Sequence, residues 1–461
     1  MTAETKPVVA GLYIDSGPRQ LLDLQPASEV SRRECCHEVA ARVLGSITTD
    51  RLTEEELLPN TCGIDWSEDQ HDVAIVDDQA RVVARARIPD NGAGFSQLVE
   101  LLAEHGEGEA ASIEIAIETD KGLLVAALVG AGLTVFPINP RAVARYRERY
   151  GQAGGKSDHA DAVVLANILR TDRHVHRPLP VDTELAQAIK ATARQHQEAI
   201  WARQQAVNRL RSLLRDYYPQ ALAVFPNLTH RAAASVLRAA PTPQAATRLT
   251  PRRVVMLLKQ AGRRNDAGLA EKISNTLRAA ALRQPAPVEH ALGVAALGLI
   301  EAITAISDAI AALKAQLATL FDQHPQAPII TSFPGLGSVL GARLLGELGD
   351  DPHRFTDARG VRSFAGTAPI TRASGRSRVV CARRICNRRL GDACHWWAYA
   401  TLTRSPGARA HYDQRRAAGD THNAALRNLA NKLLAKLWHC LQTNTPYHET
   451  IAWPTPETNA A

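Results

Sequence analysis

The strongest constraint on how this chain folds is a change of pattern near residue 181. Before it, short runs rich in Val and Ile alternate with helical segments, and after it the strand signals disappear until about residue 330. Apolar residues in that later region recur at spacings of three and four: Ile303, Ile306, Ile310, Leu313, Leu317 and Leu320. This spacing lines one face of a long helix and suits a coiled-coil seam.

A second long stretch, "ELAQAIKATARQHQEAIWARQQAVNRLRSLLRDYY", could supply the partner of that seam. The two helices form either an antiparallel hairpin within the chain or a coil between chains, and the sequence leaves both open. The segment between them contains "PTPQ", "TPRR" and "RQPAP", which predicts a small helical insert bounded by proline turns.

The length of 461 residues predicts two or three domains at roughly 100 to 200 residues each. The fold class is α/β plus α. The predicted regions are an N-terminal extension, in part disordered, over 1–60, a mixed-sheet domain over 61–180, a helical coiled-coil middle over 181–330, a mainly helical C-terminal domain over 331–445, and a disordered tail over 446–461.

Charge and cysteine content set the expected environment. The net charge of +7 and pI near 9.1 favour a polyanionic partner. Seven cysteines without regular spacing predict reduced thiols in a cytoplasm. We find no run of about 18 apolar residues and no signal peptide, so no membrane partner is expected.

Four acids in the mixed-sheet region are candidate metal ligands. Asp65 ends the strand candidate "CGID", and Glu118 ends "IEIAIE". Matching ends of neighbouring strands lie close together in a sheet. The stretch "GGKSDHADAVVLANIL" begins a helix near Ser157, and its Asp158 and Asp161 share one helix face. If this helix crosses the sheet edge, the four carboxylates converge.

Clustered carboxylates repel one another and are stable mainly around a divalent cation. Oxygen-only ligands favour Mg²⁺ or Mn²⁺, and two such ions can drive phosphodiester cleavage. Taken singly, these acids are more often structural: an Asp after a strand is usually a turn residue, a Glu at a strand end is usually solvated, and Ser157 with Asp158 could cap a helix. His159 leaves the face that the two helical aspartates share, and we do not assign it as a ligand.

The C-terminal region carries two patterns typical of phosphate binding. "SFPGLGSVLGARLLGELGD" places Gly335 and Gly337 in a turn before a helix, as in a helix-hairpin-helix, although an ordinary helical turn fits as well. Seven arginines and no acid then lie between residues 372 and 389, which predicts a nucleic-acid surface. The predicted contacts are Arg372, Arg376, Arg378, Arg383 and Arg384.

Within that block, "ASGRS" places Ser374 beside a glycine and among arginines that can stabilise an alkoxide. On chemistry alone such a serine is more often a phosphate contact than a nucleophile, and Ser377 is an alternative. A zinc site is disfavoured because four and seven residues separate the nearby cysteines, Cys381, Cys386 and Cys394, with His395 adjacent. Helix packing is expected, with base stacking the lesser alternative, for Trp396, Trp397 and Tyr399.

The order of the acids resembles the RuvC-like branch of the ribonuclease H fold. Together with the C-terminal block, residues 61 to 445 resemble the DEDD insertion-sequence transposases, the bridge-RNA-guided recombinases. The resemblance implies metal ligands at Asp65, Glu118, Asp158 and Asp161, and a nucleophile at Ser374 that becomes covalently joined to DNA. Other acids nearby fall off the motif: Asp69, Asp72, Asp77, Asp78, Glu114 and Asp120.

The resemblance also implies function and partners. It predicts a transposase that cuts and rejoins donor and target DNA in the bacterial cytoplasm, associated with the nucleoid when acting, guided by a noncoding RNA and assembled as a dimer or tetramer. The main alternative is a metal-dependent Holliday-junction-type endonuclease without a covalent serine. A non-enzymatic binding remnant is a third hypothesis. A sugar-kinase-like ATPase is disfavoured because "GIDWSEDQ" is a poor phosphate loop.

Overall fold

The computed structural model describes residues 60–150, 158–263 and 267–454. The predicted N-terminal extension up to residue 59, the helix cap at Ser157 and the last residues of the predicted tail lie outside these ranges. The chain divides into a first compact unit that ends at Leu179 and a second that begins at Pro180.

The first unit contains a five-stranded mixed sheet, as the sequence predicts. Its strands are β1 Thr61–Asp65, β2 Gln70–Val76, β3 Val82–Pro89, β4 Glu114–Ile117 and β5 Val135–Pro137. Its helices are α1 Gly92–His105, α2 Leu123–Gly130, α3 Pro140–Tyr150 and α4 Asp158–Asp172. The strand order is β3-β2-β1-β4-β5. The β1–β2 and β2–β3 pairs are antiparallel, whereas β1–β4 and β4–β5 are parallel.

Helices cover both faces of this sheet. Cys62 and Ile64 of β1 point into a core shared with α1 and α2. On the opposite face Gly63 lies directly under α4, where an added Cβ would come within 2.0 Å of the Ala162 carbonyl oxygen. Only glycine permits this approach, because any side chain at residue 63 would meet helix backbone.

Two long helices organise the second unit. They are α5 Glu184–Tyr217 and α11 Ala286–Asp322, and they pack against each other within one chain. Ile303, Ile310 and Leu317 of the predicted seam are buried. Helices of the predicted insert follow between them: α6 Pro219–Val224, α7 Arg231–Ala239, α8 Pro243–Ala246, α9 Pro251–Gln260 and α10 Ala267–Arg278. The intrachain hairpin is therefore the alternative that forms.

Helices dominate the rest of the second unit. They are α12 Ala327–Thr331, α13 Ser338–Leu348, α14 Ala358–Phe364, α15 Arg388–Thr401, α16 Pro406–Ala417, α17 His422–Thr443 and α18 Glu449–Ala452. A two-stranded hairpin, β6 Ile370–Ser374 and β7 Ser377–Cys381, interrupts them between α14 and α15. The predicted helical character of this region is confirmed, whereas the hairpin is an addition to it.

The structure does not separate the predicted middle and C-terminal regions at residue 330. Ile189 of α5 and Leu317 and Phe321 of α11 belong to the C-terminal core, whereas the other ends of both helices belong to the core of the insert. At the crossing of α13 with α5, a Cβ on Gly346 would lie 2.8 Å from the Cα of Lys190. The long helices therefore belong to two cores, because their opposite ends are buried in different places.

The prediction of a disordered tail is wrong for residues 446–454. The Tyr447 amide donates to Ser332 Oγ at 2.8 Å, and Trp453 Nε1 donates to the Tyr447 hydroxyl at 3.0 Å. Glu449 accepts a hydrogen bond from Ser405 Oγ at 2.7 Å. The two aromatic side chains pack against the C-terminal core. Their burial outweighs the disorder that the surrounding Pro, Thr and Asn residues favour.

The expectation of no apolar segment of membrane length needs correction. Of the helices in the described residues, α11 is long and apolar enough to cross a membrane by length and composition. In the structure α11 packs along α5, and its Glu301 forms an ion pair with Arg238 of the insert. The buried apolar residues of α11 belong to two protein cores, and 22% of its most apolar 18-residue window is buried.

Candidate functional site

Asp65 and Glu118 lie at the same end of neighbouring parallel strands. Ile64 of β1 pairs with Ile117 of β4, and each acid is the residue that follows. Side chains alternate between the faces of a sheet, so Asp65 shares the face of Gly63, and Glu118 shares the face of Ala116. Both acids are half-buried and lie on the face that α4 covers. The predicted meeting of these two strand ends is present.

Helix α4 runs across β1 in the direction that brings its start to this strand end. Thr61 Oγ1 donates to the Ala166 carbonyl at 3.0 Å, and Gly63 lies under Ala162, one helical turn earlier. Continuing along β1 leads from there toward the first turn of α4, which contains Asp158 and Asp161. The backbone positions of all four predicted ligands therefore meet at one end of the sheet. The side chain of Asp158 lies outside the described part.

Asp161 is held by an arginine. Its side chain is buried, and Oδ1 accepts a hydrogen bond from Arg147 Nε of α3 at 2.7 Å, with Arg147 Nη2 also 2.7 Å away. The described residues include no group of three or more His, Cys, Asp or Glu side chains arranged to hold a metal ion. The four positions offer oxygen ligands that suit a hard divalent cation, but the described carboxylates are not gathered around one point.

Asp72 lies at the same end of the sheet as Asp65 but is not one of the four predicted ligands. It lies opposite Asp65 in the antiparallel β1–β2 ladder and is buried. Arg87 of β3 donates to both carboxylate oxygens of Asp72, at 3.1 and 2.8 Å. A buried acid within the apolar run "HDVAIVD" is the sequence signal for such a pair, but the sequence does not name the partner.

Ser374 lies at the tip of the β6–β7 hairpin. Ser374 pairs with Ser377 across a two-residue turn, and Gly375 takes a φ of 54°. Such tight hairpin turns need a positive φ, which glycine adopts without strain. Arg372, Arg376 and every other residue from 371 to 380 are exposed. The hairpin thus presents its serines and arginines to solvent.

The start of α15, which follows the hairpin in the chain, is attached to α5. Glu347 of α13 accepts hydrogen bonds from Arg194 of α5 at 2.8 Å and from Asn387, the N-cap of α15, at 2.7 Å. Burial opposes ionisation of Glu347, but these two donors outweigh it and hold its pKa below the usual range. Arg389 pairs with Glu198 and lies over the Trp201 ring, 5.3 Å from its centroid.

The predicted phosphate contacts divide into exposed and packed groups. The exposed ones are Arg372, Arg376, Arg378, Arg384 and Gly337. Arg383 is partly buried, and its Nε has no hydrogen-bond partner among the described residues. Gly335 has a φ of 86°, and a Cβ there would lie 3.0 Å from the Thr401 amide nitrogen of α15. Gly335 therefore has a packing role in the turn before α13.

The aromatic and cysteine predictions have mixed outcomes. Trp397 is fully buried and donates from Nε1 to the Pro334 carbonyl at 3.1 Å, as helix packing requires. Trp396 and Tyr399 are 51% and 53% exposed, and their rings pack edge to face against each other, with Tyr399 also against His422 of α17. Cys394 is buried in the core, and burial raises its pKa to about 12. The described cysteines are free thiols.

Comparison with known proteins assigns the family. Residues 62–219 match a family model described as a transposase, and residues 327–413 match one described as "Transposase IS116/IS110/IS902 family". The chain is 50% identical over 404 residues to the "Mini-circle putative transposase for IS117" of Streptomyces coelicolor, which covers 87% of this chain and 98% of that protein. The chain belongs to the IS110 family of transposases.

Two further relatives extend this IS110-family match. A 43.6 kDa protein of insertion element IS110 from Streptomyces coelicolor is 32% identical, over 70% of this chain and 79% of its own length. A 42 kDa protein of IS900 from Mycobacterium paratuberculosis is 28% identical, over 85% and 97%. The predicted resemblance to insertion-sequence transposases is confirmed, and DNA is a partner of an IS110-family transposase.

Proposed function

We propose that this transposase cuts and rejoins DNA through Ser374, assisted by a divalent metal on four carboxylates. The observation that carries the proposal is the position of Ser374, at the tip of an exposed hairpin where the surrounding charges are arginines and no acid lies between residues 372 and 389. A phosphodiester can reach this hydroxyl from solvent. The arginines can hold its nonbridging oxygens as negative charge develops.

The proposed step exchanges one phosphate ester for another. The Ser374 hydroxyl oxygen bonds to phosphorus as the bond from phosphorus to the 3′ oxygen breaks. The hydroxyl of Ser374 loses its proton, the 3′ oxygen gains one, and the DNA strand leaves with a free 3′ hydroxyl. The phosphoserine ester conserves the energy of the broken bond, and attack by another 3′ hydroxyl rejoins DNA and frees Ser374. Arg372, Arg376 and Arg378 neutralise the phosphate in both directions.

Asp65, Glu118, Asp158 and Asp161 would hold Mg²⁺ or Mn²⁺ in a RuvC-like first unit. The oxygen-only donors and the shared sheet end support this assignment. When bound, the metal would supply positive charge to the reacting phosphate. To bind the ion, Asp161 must release its contact with Arg147. The reaction also requires that the acids and Ser374 act on the same phosphate, within one chain or between chains.

RNA guidance and self-assembly complete the proposal. A noncoding RNA would specify donor and target DNA, as the family resemblance implies, and the excess of basic residues is compatible with a second polyanion. An exposed stripe of small residues on α11, at spacings of three and four, offers a face on which a second copy could pack: Ala295, Gly298, Ala302, Ala305 and Ala309. We propose a dimer or tetramer.

The serine is tested with Ser374→Ala, and Ser377→Ala serves as the matched control across the same turn. Purified protein is incubated with its bound nucleic acid and labelled DNA carrying the ends of the element, and SDS-resistant DNA adducts are located by mass spectrometry. We expect adducts with the wild type and with Ser377→Ala but none with Ser374→Ala. Cutting and rejoining by Ser374→Ala would refute the proposal. Cleavage that never yields an adduct would favour the junction endonuclease.

The carboxylates are tested separately. Asp65→Asn, Glu118→Gln and Asp161→Asn should each weaken binding of Mn²⁺ in calorimetry and abolish strand cleavage. Asp120→Asn is the control, because Asp120 is exposed and lies two residues from Glu118 but off the motif. Equal loss of Mn²⁺ binding in the control, or unchanged binding in the three variants, would contradict the assignment.

A further inference from the structure

The helical insert between α5 and α11 carries a run of positive charge that the proposed chemistry does not use. The sequence has no acidic residue between Asp216 and Asp266. Arginine and lysine occupy eight positions there: Arg231, Arg238, Arg248, Arg252, Arg253, Lys259, Arg263 and Arg264. A solvated helical surface normally mixes both signs of charge. The one-sided composition of the insert therefore needs a separate explanation.

Two of these cations interact with α11. Arg238 donates to both carboxylate oxygens of Glu301, at 2.6 and 2.9 Å, and Arg231 lies 3.9 Å from Asp308. The remaining described members are exposed and form no ion pair with another described residue: Arg248, Arg252, Arg253, Lys259 and Arg263. Their charges are available to a partner.

Helix α9 sorts its residues into two faces. Val254, Leu257 and Leu258 are buried in the core of the insert. The outer face presents Arg252, Arg253, Met256, Lys259 and Gln260. The buried face of α9 contributes to the core of the insert, whereas no contact within the described chain explains the cations on its outer face.

Helix stability does not explain the cations either. Arg252 and Arg253 stand in the first turn of α9, where the helix dipole disfavours positive charge, and that turn contains no acid. Charged residues that destabilise the helix in which they lie are typical of a functional surface.

We propose that the outer face of α9, with Arg248 and Arg263 beside it, binds the sugar-phosphate backbone of a nucleic-acid duplex. Arg252 and Lys259 are about 10 Å apart along the helix axis, which matches about three phosphates of one strand. The described part of this face has no aromatic side chain for stacking an unpaired base. Backbone contacts of this kind position a duplex without reading its sequence.

The test compares two full-length double variants of equal charge. Arg252→Gln/Arg253→Gln removes two charges from the α9 face. Lys272→Gln/Lys314→Gln removes two exposed charges elsewhere in the second unit, one of them beside Glu271. Both variants should match the wild type in circular dichroism and melting temperature, since all four side chains are exposed. Binding of a mixed-sequence DNA duplex and of an RNA hairpin is measured by fluorescence anisotropy over a series of salt concentrations.

For a duplex DNA partner, the slope of log K against log salt is negative, and the α9 variant should make it less steep by about 1.8, or 0.9 for each lost phosphate contact. The control should keep the wild-type slope. A change with DNA alone identifies DNA as the partner, a change with RNA alone identifies RNA, and a change with both identifies backbone recognition common to the two.

Unchanged slopes with both nucleic acids would overturn the inference. An equal decrease in the control would also overturn it, because the effect would then be general charge. Polyglutamate is the third ligand, and an equal loss of its binding would indicate an acidic protein partner instead. The Ser374→Ala variant should retain the wild-type slope, so failure here is distinguishable from failure of the proposed chemistry.

Discussion

Arg147 and Asp161 form an internal ion pair at a position where the family is expected to bind a cation. Asp161 is buried, whereas Arg147 is partly exposed and can move away without crossing the core. A buried carboxylate that loses its cation is strongly destabilising unless another charge replaces it. The pair therefore gives Asp161 a partner when metal is absent.

We expect Arg147→Gln to lower the free energy of unfolding of the first unit by about 1–3 kcal/mol, because the buried carboxylate loses its charged donor. Added Mg²⁺ should recover part of the loss by binding in place of the guanidinium. Thermal melts with Mg²⁺ and with chelator measure the difference. In an Arg147→Gln/Asp161→Asn variant the recovery should disappear, and recovery that persists would locate the metal elsewhere.

His196 predicts a pH dependence for the second unit. Burial, and then the nearby positive charges of Arg343 and Lys314, lower its pKa from 6.5, and its buried Nδ1 has no hydrogen-bond partner in the described part of the chain. Because the folded pKa is depressed, this contribution to stability is complete above pH 6.5 and is lost as pH falls toward the lower folded pKa. Melting temperatures between pH 8 and pH 5 should fall less in His196→Leu than in the wild type. Parallel profiles would contradict the prediction.

At the residue scale, the sequence places Asp65 and Glu118 at strand ends but does not show that their strands are neighbours, because β2 and β3 lie between β1 and β4 in the chain. Parallel pairing of β1 with β4 brings the two strand ends together. The pairs Arg147 with Asp161 and Arg87 with Asp72 were not predicted. Each pair joins residues on different elements, and helix placement or sheet register decides which acid meets which arginine.

At the scale of elements, the packing of α4 on β1 depends on Gly63. An added Cβ would overlap the Ala162 carbonyl and lie 2.5 Å from the Ala166 amide nitrogen, so α4 would have to move. Asp158 and Asp161 would move with it.

We expect Gly63→Ala to destabilise the first unit by about 1–3 kcal/mol through overpacking and to weaken Mn²⁺ binding. Gly130→Ala is the matched control, because a Cβ there meets nothing within 4 Å. It should be neutral or slightly stabilising, since alanine favours helix over glycine. Chemical denaturation and calorimetry measure both effects. Equal stability of the two variants would show that α4 adapts to the extra methyl group.

The β6–β7 hairpin shows what helical periodicity cannot reveal. Its strands are five residues each and lie within a run of arginines, so neither alternation nor apolar content separates them from a loop. The sequence shows a glycine beside Ser374, but the use of Gly375 at a hairpin turn depends on the pairing of Ser374 with Ser377. That pairing is a property of the folded chain.

At the scale of the molecule, the segment of residues 447–453 packs against the C-terminal core. Trp453 packs against Gly407, and the Lys436 and Lys432 ammonium groups lie 4.9 and 5.9 Å from its ring centroid. Cation–π contacts and ring burial both contribute to this closure.

Trp453→Ala should lower the free energy of unfolding of the second unit by about 1–3 kcal/mol, because a partly buried indole and its hydrogen bond to Tyr447 are lost. Ile451→Ala is the control, since Ile451 is 78% exposed and should have little effect. Urea denaturation compares them. A neutral Trp453→Ala would show that the segment adds no stability.

The domain boundaries near residues 181 and 330 are predicted from local changes in sequence pattern. The seam of α11 was visible because its spacing is local. Which core receives each end of α5 and α11 depends on distant contacts such as Gly346 with Lys190, and no local pattern records them.

The α5–α11 hairpin also fixes a distance. Lys190, where α13 crosses α5, and Leu214, in the core of the insert, are separated by 24 residues of one helix, or about 36 Å. One turn of B-form duplex is about 34–36 Å long. Along a B-form duplex lying on the hairpin, two points one turn apart would meet the same groove, whereas points half a turn apart would meet opposite grooves. On B-form DNA, contacts made near the two ends of the hairpin would then share one rotational phase.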